Sequence, residues 1–267
     1  MTELAWRYRE AIRNGRLLYR TEYPVAVQLT TAAPRVLLQC LFFSLAGRAL
    51  YGRAGGEYTF TGIAAFAACT KTVVLTSDIP WTDTMSDTYY RLQSGSLRPW
   101  TVYLCRVLPY IVSGFLSTLL VLAVGGPILG FTSRSISLLP LLPLYLLTAA
   151  TSTAFGLTLS SLSTGQTSNI LYGNLGSYLI LATAGIVVPY THATRWLSWA
   201  GSVLPIQHGL AAIRAHLAGR PWGGDAALEV LTGLGWIALA VLVLWIKDQR
   251  QRGITLAELL RGGYRTA

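Results

Sequence analysis

Three aspartates and three arginines, Asp78, Asp83, Asp87, Arg91, Arg98 and Arg106, fall within one short stretch of an otherwise apolar chain. Trp81, Tyr89 and Tyr90 lie among them. Charged groups of both signs interleaved with aromatic rings suit a recognition surface, against either a membrane face or a protein partner. Catalytic chemistry finds less to use. His192, His208 and His216 are the only histidines, and no carboxylate stands at a metal-ligand or triad spacing from them. His-Glu-x-x-His is absent, and so is Gly-x-x-x-x-Gly-Lys-Ser/Thr, so the chain has no route of that kind to ATP. Cys40, Cys69 and Cys105 are too scattered for a metal site or a disulfide framework. The expectation is a chain with no catalytic, cofactor-binding or metal-ligating residues of its own.

The elements that must position this polar stretch are membrane spans. Of 267 residues, 52% are hydrophobic and 12% charged, about half the charged share of a soluble domain. The mean hydropathy is +0.47. Apolar blocks of about 20 residues recur, the length that crosses a hydrocarbon core of roughly 30 Å. Six spans are expected, near 29–50, 58–76, 102–124, 138–160, 170–189 and 228–246. An all-α integral membrane protein follows, one transmembrane domain over 1–267. The formal net charge of +10 sits at span ends, where anionic lipid and the positive-inside rule account for it without nucleic acid.

Residues 3–23 read as a basic amphipathic helix lying in the headgroup layer. Arg9, Arg13, Arg16 and Arg20 recur at helical spacing, with Trp6, Tyr8, Tyr19 and Tyr23 nearby. Its first residues are basic and interrupted, unlike a cleavable signal peptide. Arg35, near the inner end of the first span, reads as a snorkelling side chain. With the N-terminus inside, the segments 1–24, 77–106 and 247–267 carry 5, 3 and 5 Lys and Arg, or 13, against 6 outside. That asymmetry puts both termini and the segment 77–99 in the cytoplasm. Residues 190–225 hold two semi-apolar pieces, Trp196–Leu204 and Ile206–Leu217, separated by Pro205. Each is too short to span, so a re-entrant outer helical hairpin is expected, with a surface loop as the alternative. Asn169, Asn174 and Tyr178 on the fifth span either line a substrate route or serve as packing glue between helices.

Two groups of residues resemble the ABC-2-type export family, the membrane half of ATP-binding-cassette exporters. One is Asp87-Thr88-Tyr89-Tyr90-Arg91-Leu92, continuing through Arg98-Pro99 to Arg106. The other is Gly185, Pro189, Leu204-Pro205, Ala212-Ile213-Arg214 and Gly219. The first lacks the glycine-threonine-leucine-glutamate run of the commoner form and is nearer to drug-efflux permeases. The resemblance implies a coupling helix over Trp81–Gln93, flanked by the N-terminal helix, on which a separate ATPase subunit docks. Trp81 and Tyr90 would be the apolar anchors, and Asp83, Asp87, Arg91 and Arg98 the polar contacts. It implies a second permease as homodimer or related partner, ATP and Mg held by the ATPase, and a bacterial plasma membrane. A drug-like, natural-product or lipid-like amphiphile is the expected cargo. A polysaccharide exporter would use the same architecture, and an ATP-independent channel or membrane enzyme is the remaining alternative.

Overall fold

A computed structural model describes residues 3–85, 92, 95–163, 166–187 and 195–262. Every regular element among them is helical. In chain order these are α1 (Glu3–Glu22), α2 (Val25–Thr76), α3 (Asp78–Met85), α4 (Pro99–Leu129), α5 (Thr132–Leu162), α6 (Gln166–Thr183), α7 (Arg195–Val203), α8 (Gln207–Leu217) and α9 (Gly223–Gly262). Four segments are long and apolar enough to cross a membrane: α2, α4, α5 and residues Gly223–Arg250 of α9. α6, with 18 residues that include Gln166, Asn169 and Asn174, is outside that group.

The first two expected spans have no loop between them. They share α2, which is broken at Tyr51 (φ −130°, ψ 20°) and Gly52 (φ 66°, ψ −163°). In an unbroken helix Gly47 and Gly55 would lie about 12 Å apart along the axis. Instead, a Cβ on Gly47 would sit 2.9 Å from the Gly55 carbonyl oxygen and would run into Thr59. Lower down, Arg35 and Val36 share a cavity wall with Thr70, Lys71 and Val74. The chain therefore folds back on itself at Gly52, whose positive φ costs a residue without a Cβ little. Residues 53–76 form the buried limb and residues 25–50 the outer one.

α5 is the central post. It packs against the buried limb of α2 and against α4, α6, α8 and α9. Its small and hydroxylated run, from Thr148 to Gly156, is buried almost throughout. A Cβ on Gly156 would come within 2.8 Å of Val73 Cα, which is the close helix approach that small residues permit in lipid. The hydroxyls of Thr148, Ser152 and Thr153 bond carbonyls of their own helix, three or four residues back. Thr158 also reaches the Trp236 carbonyl oxygen of α9 at 2.9 Å. Phe60, Ile63, Phe66, Leu138, Tyr145 and Ile180 fill the main core around this post.

Candidate functional site

Residues 77–106 join the buried limb of α2 to α4, and α3 follows α2 almost without interruption. Ser160 of α5 donates to the Ser77 carbonyl oxygen at 2.8 Å, tying that junction to the central post. Asp83 is turned inward: it is 5% exposed, and Arg106 Nη1 donates to its Oδ2 at 2.6 Å. Such a pair is stable because each charge compensates the desolvation of the other; removing either one leaves the second buried and uncompensated. The pair links α3 to the first turns of α4, where Pro99 begins the helix after an extended Arg98 (φ −66°, ψ 143°).

α1 lies on the same end. A Cβ at Gly15 would sit 2.8 Å from Arg106 Cα, so only glycine lets α1 rest directly on α4 there. Tyr19 donates to Ser113 Oγ at 2.5 Å, and its ring meets Tyr110 edge-on at 4.8 Å between centroids. Burial pushes the Tyr19 hydroxyl above its ordinary pKa, and the bond to Ser113 opposes part of that shift. Asp83, Arg106 and α1 thus form one connected unit at the α1 end of the bundle.

Of the residues expected to meet an ATPase, Asp83 is the internal brace just described and Arg98 is exposed beside Pro99. The side chain of Trp81, and residues Asp87, Tyr90 and Arg91, lie outside the described residues. So does much of the expected coupling helix Trp81–Gln93, of which α3 covers the start. The three residues expected on a substrate route share α6 and differ in their surroundings. Asn169 is buried, Asn174 donates to the Ile170 carbonyl oxygen of its own helix at 3.0 Å, and Tyr178 is 62% exposed.

The other site is one that sequence reasoning passed over. Within the segment expected to form the hairpin lie two short helices, α7 and α8, joined through Leu204–Ile206. Glu229, on α9, is fully buried. Its Oε1 accepts from Ile206 N–H at 2.9 Å and from the Thr151 hydroxyl; its Oε2 accepts from Gly209 N–H at 2.9 Å. A carboxylate therefore sits at the positive end of α8 and satisfies amide donors that the helix leaves without internal partners. It also holds Ile206 at φ +80°, a conformation costly for a β-branched residue. Thr151 is at the middle of the α5 stretch Leu142–Leu162, so the junction of α7 and α8 reaches mid-bundle. At the far end of α8, Arg214 donates to the Gly185 carbonyl oxygen at 2.8 Å and stacks 3.5 Å over the Tyr58 ring. The available signal for Glu229 was a lone acid near the start of an apolar block, close in space to a helix that follows proline. Its partners are backbone groups, which no side-chain motif records.

No three His, Cys, Asp or Glu side chains among the described residues stand close enough to hold a metal ion. A family model described as "ABC-2 type transporter" matches residues 18–217, three quarters of the chain. No curated protein matches the sequence.

Proposed function

This chain belongs to the ABC-2 type transporter family, and from that premise we propose that it is the permease subunit of an ATP-binding-cassette exporter. A separate ATPase, which carries ATP and Mg, would dock on the segment 77–99, and a second permease would complete the working unit. In this reading the chain crosses the membrane six times, through the two limbs of α2 and through α4, α5, α6 and α9. The hairpin α7–α8 enters from the outside, and both termini are cytoplasmic. The cargo is an amphiphile of drug, natural-product or lipid type moved outward across a bacterial plasma membrane, and the permease itself does no covalent chemistry.

The observation that supports this reading most is the Asp83–Arg106 ion pair at 2.6 Å. Force applied to α3 by a docked ATPase cannot be absorbed by a loose loop. It passes through the ion pair to α4, through the α2 junction to the buried limb, and through Ser160 to the central post. Closure of the ATPases around ATP would favour the outward-open arrangement by binding it more tightly than the inward-open one, which is the only way a ligand shifts such an equilibrium.

The test is ATPase activity in proteoliposomes, with the permease co-expressed beside the ATPase encoded next to it. A purified complex that hydrolyses ATP, at a rate altered by amphiphiles, supports the exporter. A permease that purifies alone and moves solute without ATP overturns it. Asp87→Lys and Arg91→Glu should leave the protein inserted yet uncouple hydrolysis from transport. Unchanged transport by both variants would remove residues 77–99 as the docking site.

A further inference from the structure

Two adjoining cavities open where α1 crosses the bundle. The larger, about 630 Å³, lies between α1 and α4; the smaller, about 170 Å³, lies between α1 and the two limbs of α2. They share Tyr19, Tyr23 and Gln28, so they form one crevice with a common wall. Arg16 and Arg20 line the larger part, Arg35 and Lys71 the smaller. None of these four cations has a carboxylate within ion-pair distance among the described residues. Lys71 donates one bond, to Ser113 Oγ at 3.3 Å, whereas an ammonium has three donors to place. Its position on the buried limb makes an uncompensated charge costly, and such a group calls for an anion.

The rest of the crevice describes that anion. One wall is a π-helical stretch, Gln28–Ala32, a widened turn of the kind found at functional sites. Its Gln28 and Thr31 line the same cavity as Arg35 and Lys71, and the Gln28 amide donates to the Tyr23 carbonyl oxygen at 2.9 Å. The larger part is also lined by Leu108, Val112 and Leu116, a ridge at i, i+4 and i+8 whose residues are 42%, 57% and 54% exposed. The smaller part thus carries Arg35 and Lys71, and the larger part carries Arg16 and Arg20 beside an open apolar track along α4. A free phosphate would leave the track empty, and an apolar solute would leave the cations unpaired.

We infer that this crevice binds an anionic phospholipid, its phosphate held by Arg35 and Lys71 with Arg16 and Arg20 at the mouth, and its acyl chain laid along Leu108, Val112 and Leu116. The lipid fills the gap between α1 and the bundle and so joins the amphipathic helix to both limbs of α2. The proposed orientation places it in the cytoplasmic leaflet. The binding itself does not depend on the ATPase or on the cargo.

The test uses the delipidated full-length permease in detergent, offered equal amounts of phosphatidylglycerol and phosphatidylcholine, with retained lipid counted by native mass spectrometry. The expected result is preferential retention of phosphatidylglycerol by the native chain, reduced at least tenfold in the double variant Arg35→Gln/Lys71→Gln. Arg35→Lys/Lys71→Arg, which keeps both charges, should retain the lipid, as should Arg9→Gln, whose residue does not line the crevice. Equal retention of the two lipids by the native chain overturns the proposal, and so does undiminished preference in the double variant. Displacement of phosphatidylglycerol by excess inorganic phosphate would also overturn it, because the site would then recognise phosphate without the chain. Loss of retention in the charge-keeping variant would overturn it as well, because the charges of Arg35 and Lys71 would then not be what holds the lipid.

Discussion

Asp83 and Glu229 are both buried carboxylates, and they differ in what neutralises them. Asp83, at the α1 end, faces a guanidinium carried by another helix. Glu229, at mid-bundle, faces backbone amides and one hydroxyl. A side-chain pair is a contact between two residue types and can be exchanged for another pair of the right shape. Amides at a helix start are fixed by the fold, so their acceptor has no substitute of opposite sign. The first arrangement suits a joint that moves as a unit under load. The second suits an anchor that keeps a short helical pair from leaving the bundle.

Removing the anchor should have the largest effect. Glu229→Leu leaves the Ile206 and Gly209 amides buried without acceptors, at about 1–3 kcal/mol each, and releases the strained Ile206. We expect a loss of about 3–5 kcal/mol, read as a lowered apparent melting temperature of the purified permease in detergent. Glu229→Gln should recover only part of it, because its amide would face an N–H donor. A Glu229→Leu variant as stable as the native chain would end the comparison, since the carboxylate would then anchor nothing.

The joint should be weaker and, unlike the anchor, repairable. Asp83→Asn breaks a mostly buried ion pair and should cost about 2–4 kcal/mol. The charge-reversed double variant Asp83→Arg/Arg106→Asp should recover a measurable part of that loss. Failure of the exchange to recover any stability would show that the Arg106 site depends on the fold as closely as Glu229 does.

Two smaller effects sharpen the description of the α1 end. Gly15→Val places methyl groups against Arg106 and should lift α1 from α4, at about 1–3 kcal/mol. Increased protease cleavage within residues 3–22 would report it. Tyr19→Phe removes the bond to Ser113, at about 1 kcal/mol. The raised pKa of Tyr19 means that the folded state holds this proton more tightly than the unfolded one. Its contribution is complete below pH 10.0, the unfolded value, and declines as pH rises toward the folded pKa. Alkaline destabilisation in that window should be shallower in Tyr19→Phe.

The sequence by itself determined the class and most of the element order, because the length of an apolar block and the ends of basic segments are one-dimensional properties. Trp196–Leu204 and Ile206–Leu217 were separable at Pro205 for the same reason: proline interrupts a helix wherever it falls. The resemblance carried by Arg98-Pro99, Arg106 and Ala212-Ile213-Arg214 likewise needed only order and spacing. Tertiary structure alone decided the rest. Whether Asp83 faces a partner or its own chain depends on where Arg106 lies, 23 positions later and on another helix. That Tyr51 and Gly52 replace a loop depends on how Gly47, Gly55 and Thr59 pack across the fold-back. Glu229 was unreadable as an anchor because backbone amides carry no residue type, and only the fold brings a helix start to a carboxylate.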